Sequence, residues 1–144
     1  MKLKRAIVLG KGKWGKIFIS RLRNKVKIVK ILRSKDQYKK VNCNKIDWIF
    51  VLTNTKKHFE ICNYYISRCS NIFCEKPLTK DLDKSVKLIK KAKKFKCNLY
   101  VSDIENYKSK KIKLTNNNII IRKKFSSDKS DILYRYAYHD LYIL

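Results

Sequence analysis

The three glycines of this chain lie together, as Gly10, Gly12 and Gly15, and spell G-x-G-x-x-G with Lys11, Lys13 and Trp14 between them. The apolar run Ala6–Ile7–Val8–Leu9 leads into them, and Trp14, Phe18 and Leu22 recur behind them at helical spacing. A chain passing so abruptly from strand to helix needs its first glycine for the tight turn. It needs its third where the helix packs on the strand. The second, without a side chain, lets backbone N–H groups approach a pyrophosphate that the helix N-terminus also faces. A glycine triplet alone is a weak signal, but here every glycine is spent at one strand-to-helix junction.

The rest of the chain repeats that alternation. Strands are expected at Leu3 to Leu9, Val26 to Leu32, Asp47 to Thr53, Asn71 to Cys74 and Asn98 to Ser102. The third is an almost continuous apolar run, as in a strand buried on both faces. Between them, Lys56 to Cys69 sets Phe59, Cys62, Ile66 and Cys69 at helical spacing, and Leu82, Val86, Ile89, Ala92 and Phe95 stripe a further helix. Asp81 and Asp83 at its start and Lys93, Lys94 and Lys96 at its end suit the helix dipole. Strands alternating with helices, apart from a polar loop between the second and third strands, predict an α/β fold, a doubly wound parallel sheet. Beyond Tyr107 the style changes. "KKIKL" and "IIIRKKF" flank "TNNN" as in a hairpin, and "SDILYRYAYHDLYIL" reads as a helix. The expected organisation is a sheet domain over residues 1–106 and a short hairpin and helix over 107–144 packed on it.

At 144 residues and 44% hydrophobic content the chain can bury a real core despite 33% charge. The net charge is +26, with lysine outnumbering arginine roughly four to one. A surface built to grip nucleic acid favours arginine for its bidentate fork, so coding bias over a solvated surface competes with a polyanion partner as the explanation. The five cysteines form no C-x-x-C pair and no metal-ligand spacing with histidine. They read as reduced buried thiols of a cytoplasmic protein, with no metal site. The apolar run before Gly10 is too short for a signal peptide, and no stretch nears the length of a membrane span.

A dinucleotide in the glycine loop would set its adenosine ribose near the end of the second strand. The acidic residue that usually holds the ribose is absent there; Arg33, Ser34 and Lys35 follow Leu32, and Asp36 comes late. Basic residues suit a 2′-phosphate, so NADP is preferred over NAD. Two further segments complete a pattern. "VLTNTKKH" carries Thr53, Asn54, Thr55 and His58, and "FCEKPLTKD" carries Glu75, Lys76 and Pro77 at a strand end. With G-x-G-x-W-G before them, in this order and spacing over roughly residues 4 to 105, the sequence resembles the Gfo/Idh/MocA oxidoreductases. The resemblance implies a Rossmann NAD(P)-binding domain and hydride transfer on a sugar or sugar-nucleotide alcohol. It implies that Lys76 contacts substrate beside the nicotinamide, with Glu75 and Pro77 at the cofactor, and Pro77 would fix the turn that presents Lys76. An ammonium there can hold a hydroxyl and stabilise developing charge.

The family's second half is a large antiparallel sheet, of which residues 107–144 would be a much shortened echo. His139 matches the acid/base histidine of the family's Asp-x-x-x-His helix, but the position four residues earlier is Arg135, which cannot accept a proton. Three readings stay open. One is an NAD(P)-dependent oxidoreductase with Lys76 and His139 as catalytic residues, acting on a small sugar-like substrate. Another is a non-catalytic cofactor-binding module, or half of a split enzyme, with a protein partner or second copy supplying the missing sheet. The third is a nucleic-acid-binding protein on the same fold, which only the charge supports.

Overall fold

Ala6 and Val8 point to one side of the first strand and Ile7 and Leu9 to the other, and none of the four is more than 2% exposed. A strand buried on both faces needs helices above and below it. The structure, a computed structural model, describes residues 2–33 and 35–102. The elements are β1 (Arg5–Leu9), α1 (Lys13–Leu22), β2 (Lys27–Leu32), a 3-10 turn (Tyr38–Lys40), β3 (Trp48–Val51), α2 (Thr55–Tyr65), β4 (Asn71–Cys74), α3 (Leu82–Lys94) and β5 (Asn98–Val101). The five strands form one sheet in the order β2-β1-β3-β4-β5, every pair parallel. The expected doubly wound parallel sheet is therefore the fold observed.

The pleat sorts the core into two layers. Ala6, Val8, Phe50 and Leu52 pack with Ile19 of α1. Ile7, Leu9, Ile49, Val51, Ile72 and Cys74 pack with Ile61, Cys62 and Tyr65 of α2 and with Leu88 and Ala92 of α3. Fully burying one such aliphatic side chain contributes about 1.5–3 kcal/mol, so the central strands carry most of the sheet's stability. At the edge, a register shift opposite Ala6/Ile7 leaves Val29 without a partner, which breaks the period-two pattern of β2.

Three sequence expectations need correction. Of the stripe assigned to α3 only Ala92 faces the sheet: Leu82, Val86, Ile89 and Phe95 are exposed, and Leu88, outside the stripe, is buried with Ala92. Polar anchors set the helix phase. Asp81 accepts from the Lys84 N–H at 3.1 Å, Ser85 shares a hydroxyl contact with Thr79 at 2.8 Å, and Lys91 Nζ donates to the Asn63 carbonyl at 2.7 Å. Trp14, grouped by helical spacing with Phe18 and Leu22, is 47% exposed, while those two pack against the sheet. The stretch between β2 and β3, read as a polar loop, contains the turn at Tyr38–Lys40, whose carbonyls accept from the Tyr65 hydroxyl at 2.9 Å and the Tyr64 hydroxyl at 2.7 Å. The expected hairpin and terminal helix of residues 107–144, with Arg135 and His139, lie outside the described residues, as does Ser34. Among the described residues no helix is long and apolar enough to cross a membrane.

All five cysteines are free thiols, four of them buried. Burial, aided by neighbouring Cys69 and Cys62, pushes the Cys97 thiol up to about 11, and burial also raises Cys43, Cys69, Cys74, Tyr38 and Tyr65. A group whose folded pKa is raised stabilises the fold below its unfolded value and loses that contribution as pH rises toward the folded one. The ordinary thiol value is 9.0 and the ordinary phenol value 10.0. Thermal melts should therefore hold steady to about pH 8 and then fall progressively toward pH 11. A melting temperature unchanged across that alkaline range would contradict the burial of these groups.

Candidate functional site

Backbone hydrogen bonds carry the parallel register past the strand ends. Gly10 N donates to Leu32 O at 2.8 Å, Leu52 N to Leu9 O at 2.7 Å and Glu75 N to Val51 O at 2.9 Å. Arg33, Gly10, Thr53 and Lys76 therefore follow the carboxyl ends of neighbouring strands. From β1 the chain runs by α1 to β2 on one side, and β3 pairs with β1 on the other. Strand order reverses between β1 and β3, which is where open parallel sheets bind ligands.

The glycine loop closes that point. Gly10 has φ +114°, and a Cβ there would lie 2.5 Å from the Leu52 carbonyl carbon. A Cβ on Gly15 would strike the Gly10 carbonyl oxygen, so the helix starts in contact with the turn. A Cβ on Gly12 would meet nothing within 4 Å. The first and third glycines are thus required by packing, and the second leaves space open.

That space belongs to a cleft of about 630 Å³. Gly10, Lys11 and Gly12 line it from the loop, Lys16 from α1, Arg33 from the end of β2, and Leu52, Thr53, Asn54 and Lys57 from the β3–α2 passage. Four of these nine residues are cationic and none is acidic. Helices α1 and α2 both begin here, behind Gly12 and Asn54, without a side-chain cap or an acidic residue in the first turn. By contrast α3, elsewhere, is capped by Asp81. Uncapped N–H groups and four cations favour an anion. The residues present fit the phosphates of a dinucleotide in charge, in volume and in the open ground above Gly12.

Lys11, Lys16, Leu52 and Lys57 were not singled out from sequence. Lys16 lies one helical turn beyond Gly12, and Lys57 follows Asn54 into α2, so spacing from the glycine loop and the Thr-Asn-Thr turn was the available signal. Asp36 does not stand in for the missing ribose acid: its carboxylate turns back to accept from the Arg33 N–H at 2.6 Å. Lys13, Trp14 and Thr55 sit in the first turns of α1 and α2 without lining the cleft.

The Glu75–Lys76–Pro77 turn follows β4, and its Lys76–Pro77 peptide is cis. Trp14 Nε1–H donates to Glu75 Oε1 at 2.8 Å, and Glu75 Oε2 accepts from the Lys76 N–H at 3.2 Å. Lys76 itself is half-buried. His58 is only 1% exposed, and its two ring nitrogens lie 2.9 Å from the Pro77 carbonyl and 3.0 Å from the Thr53 carbonyl. Carbonyl oxygens only accept, so the ring nitrogen that carries the proton donates, and the tautomer decides which carbonyl receives it. His58, which the sequence pattern groups with the cofactor-side residues, has both nitrogens turned to backbone, one of them to Thr53 on the cleft. Among the described residues no group of three or more His, Cys, Asp or Glu could hold a metal ion.

Fold and cleft together define a Rossmann-type nucleotide-binding domain. The Gfo/Idh/MocA family model, described as an oxidoreductase family with an NAD-binding Rossmann fold, matches residues 32–103, which is 72 of the 144 residues, and the chain belongs to that family. No curated protein matches it. Among solved structures, myo-inositol 2-dehydrogenase from Lactobacillus plantarum superposes with a TM-score of 0.64 at 24% identity, over 76% of this chain and 38% of its own. UDP-N-acetylglucosamine 3-dehydrogenase from Acidithiobacillus ferrooxidans gives 0.63 at 17% identity, over 70% of this chain and 38% of its own. An NAD-binding protein from Listeria innocua gives 0.63 at 14% identity, over 70% and 34%. At these identities the likeness is one of fold, and the chain aligns with little more than a third of each structure's length.

Proposed function

We propose that this chain binds NADP(H) in the β1/β3 cleft and serves an oxidoreductase acting on a sugar, cyclitol or sugar-nucleotide alcohol. The observation that carries the reading is the cleft itself, at the strand-order reversal, with four cations, two uncapped helix starts and no carboxylate. When bound, a nicotinamide dinucleotide supplies the hydride acceptor or donor. The chain's own residues do the rest. The glycine loop and the α1 N-terminus hold the pyrophosphate, with Lys11 and Lys16 adding charge. Arg33, with Ser34 beside it, takes the 2′-phosphate. Thr53, Asn54 and Thr55 border the cofactor from the β3 side. Lys76 donates to the alcohol oxygen and stabilises the charge growing there. His139 accepts the hydroxyl proton. The solved dehydrogenases of a cyclitol and a sugar nucleotide support that substrate class.

A second reading, a cofactor-binding module whose substrate sheet comes from a partner protein or a second copy, is favoured by Arg135, since the residue four positions before His139 is one that accepts no proton. The same proposal divides the chain into a nucleotide-binding part, 1–106, and a smaller part, 107–144. Free thiols support a cytoplasmic location.

Calorimetric titration with NADPH and NADH at two salt concentrations tests the cofactor. NADPH should bind roughly tenfold more tightly or better, because a hydrogen bond to a charged group contributes about 1.5–3 kcal/mol. Arg33→Ala should remove most of that difference while leaving NADH little changed. Binding that vanishes at the higher salt, or a preference for NADH, would sink the reading.

A further inference from the structure

Two side chains that do not themselves line the cleft reach from its walls to the Lys76 turn. From α1, Trp14 follows Gly12 by two residues and hydrogen-bonds Glu75 at 2.8 Å, and the other Glu75 oxygen holds the Lys76 N–H at 3.2 Å. From α2, His58 spans the Thr53 carbonyl at 3.0 Å, on the cleft, and the Pro77 carbonyl at 2.9 Å, beyond the lysine. The helices lie on opposite faces of the sheet, so the triplet is gripped from both. Neither contact arises from general packing. The indole is 47% exposed, yet its single N–H is directed at a carboxylate 61 residues away. The imidazole is buried with both nitrogens on carbonyls, so removing it leaves polar groups unpaired.

We propose that Trp14 and His58 are positioning residues: they couple the anion-binding cleft to the Glu75–Lys76–Pro77 turn, so that filling the cleft sets where the Lys76 ammonium stands. The inference rests on the dinucleotide reading above. A lysine reaches its target on a flexible stem, and a misplacement of about 1 Å can lower turnover about a hundredfold. Anchoring the turn to the cofactor loops confines that error to occasions when no cofactor is present.

The test is an amide NMR titration of the full chain with 2′-phospho-ADP-ribose, which offers the phosphates but no nicotinamide ring to touch the lysine. Gly10 and Gly12 report occupancy, Lys76 and Leu78 report the turn, and the indole N–H of Trp14 reports its bond to Glu75. In the native protein all should shift with one midpoint. Trp14→Phe and Glu75→Leu should keep the glycine shifts and lose most of the Lys76 shift. Glu75→Gln, whose amide keeps one acceptor oxygen and replaces the other with a donor, can hold only one of the two N–H groups and should diminish it. His58→Gln should diminish the Leu78 shift. Because His58 is buried and its variant can fail to fold, the surface pair Trp14 and Glu75 decides the matter independently. Glycine shifts without any Lys76 or Leu78 shift in the native protein would overturn the coupling while leaving the cofactor reading intact. So would Lys76 shifts that survive both Trp14→Phe and Glu75→Leu. No shift at Gly10 or Gly12 would overturn the dinucleotide site, and the coupling with it.

Discussion

Gly10→Ala should destabilise the domain by about 3 kcal/mol or more, enough to leave much of it unfolded at physiological temperature. Two effects add. A φ of +114° is strained for any residue with a side chain, and the new methyl would overlap the Leu52 carbonyl just past β3. Relief would push β1 away from β3, the central strand of the sheet. Gly12→Ala is the control, because its methyl enters open space and should barely alter stability while crowding the cleft. Urea denaturation followed by circular dichroism would separate them. Equal stability for the two variants would mean that the turn is not held as described.

On the proposed reading, Lys76→Ala should lower turnover of any alcohol substrate by about two to three orders of magnitude, the usual loss when one charge-stabilising donor is removed from a reacting oxygen. Binding of NADPH should change little, since Lys76 follows β4 and does not line the phosphate cleft. Lys76→Met, which keeps most of the apolar stem, should be as inactive as the alanine variant. The measurement is steady-state kinetics on a panel of cyclitols and sugar nucleotides, with cofactor titrations alongside. Turnover that survives both substitutions would remove Lys76 from the chemistry.

What could be read from sequence was what depends on neighbours along the chain. The strand-to-helix turn at Gly10, Gly12 and Gly15 is a local device, as is the Asp81 cap of α3, and the structure has both. The alternation of apolar strands with helical periods is local too, and it sufficed for the sheet. The phase of α3 was only partly legible, because Ala92 can share a face either with Leu82, Val86 and Ile89 or with Leu88. Contacts with Asn63 and Thr79 choose between them, and no periodicity encodes those. The same holds in the site. That Arg33 would follow β2 at the cleft could be inferred from position. That Asp36 would spend its carboxylate on the Arg33 N–H could not, nor that His58 would meet Pro77, 19 residues on. Lys16 and Lys57 were hidden by the chain's own composition, since one lysine among so many carries no signal until the fold gathers it into the cleft.

The protonated thiols of the core have a chemical consequence beyond stability. Oxidants and electrophiles attack thiolate, and burial holds Cys43, Cys69, Cys74 and Cys97 above the ordinary thiol range. Four of the five cysteines are also out of reach of any reagent, leaving Cys43 as the one partly exposed. A cysteine-rich chain is thereby made nearly inert toward peroxide and disulfide exchange. The four buried sulfurs serve as packing material, and their oxidation has to begin with unfolding.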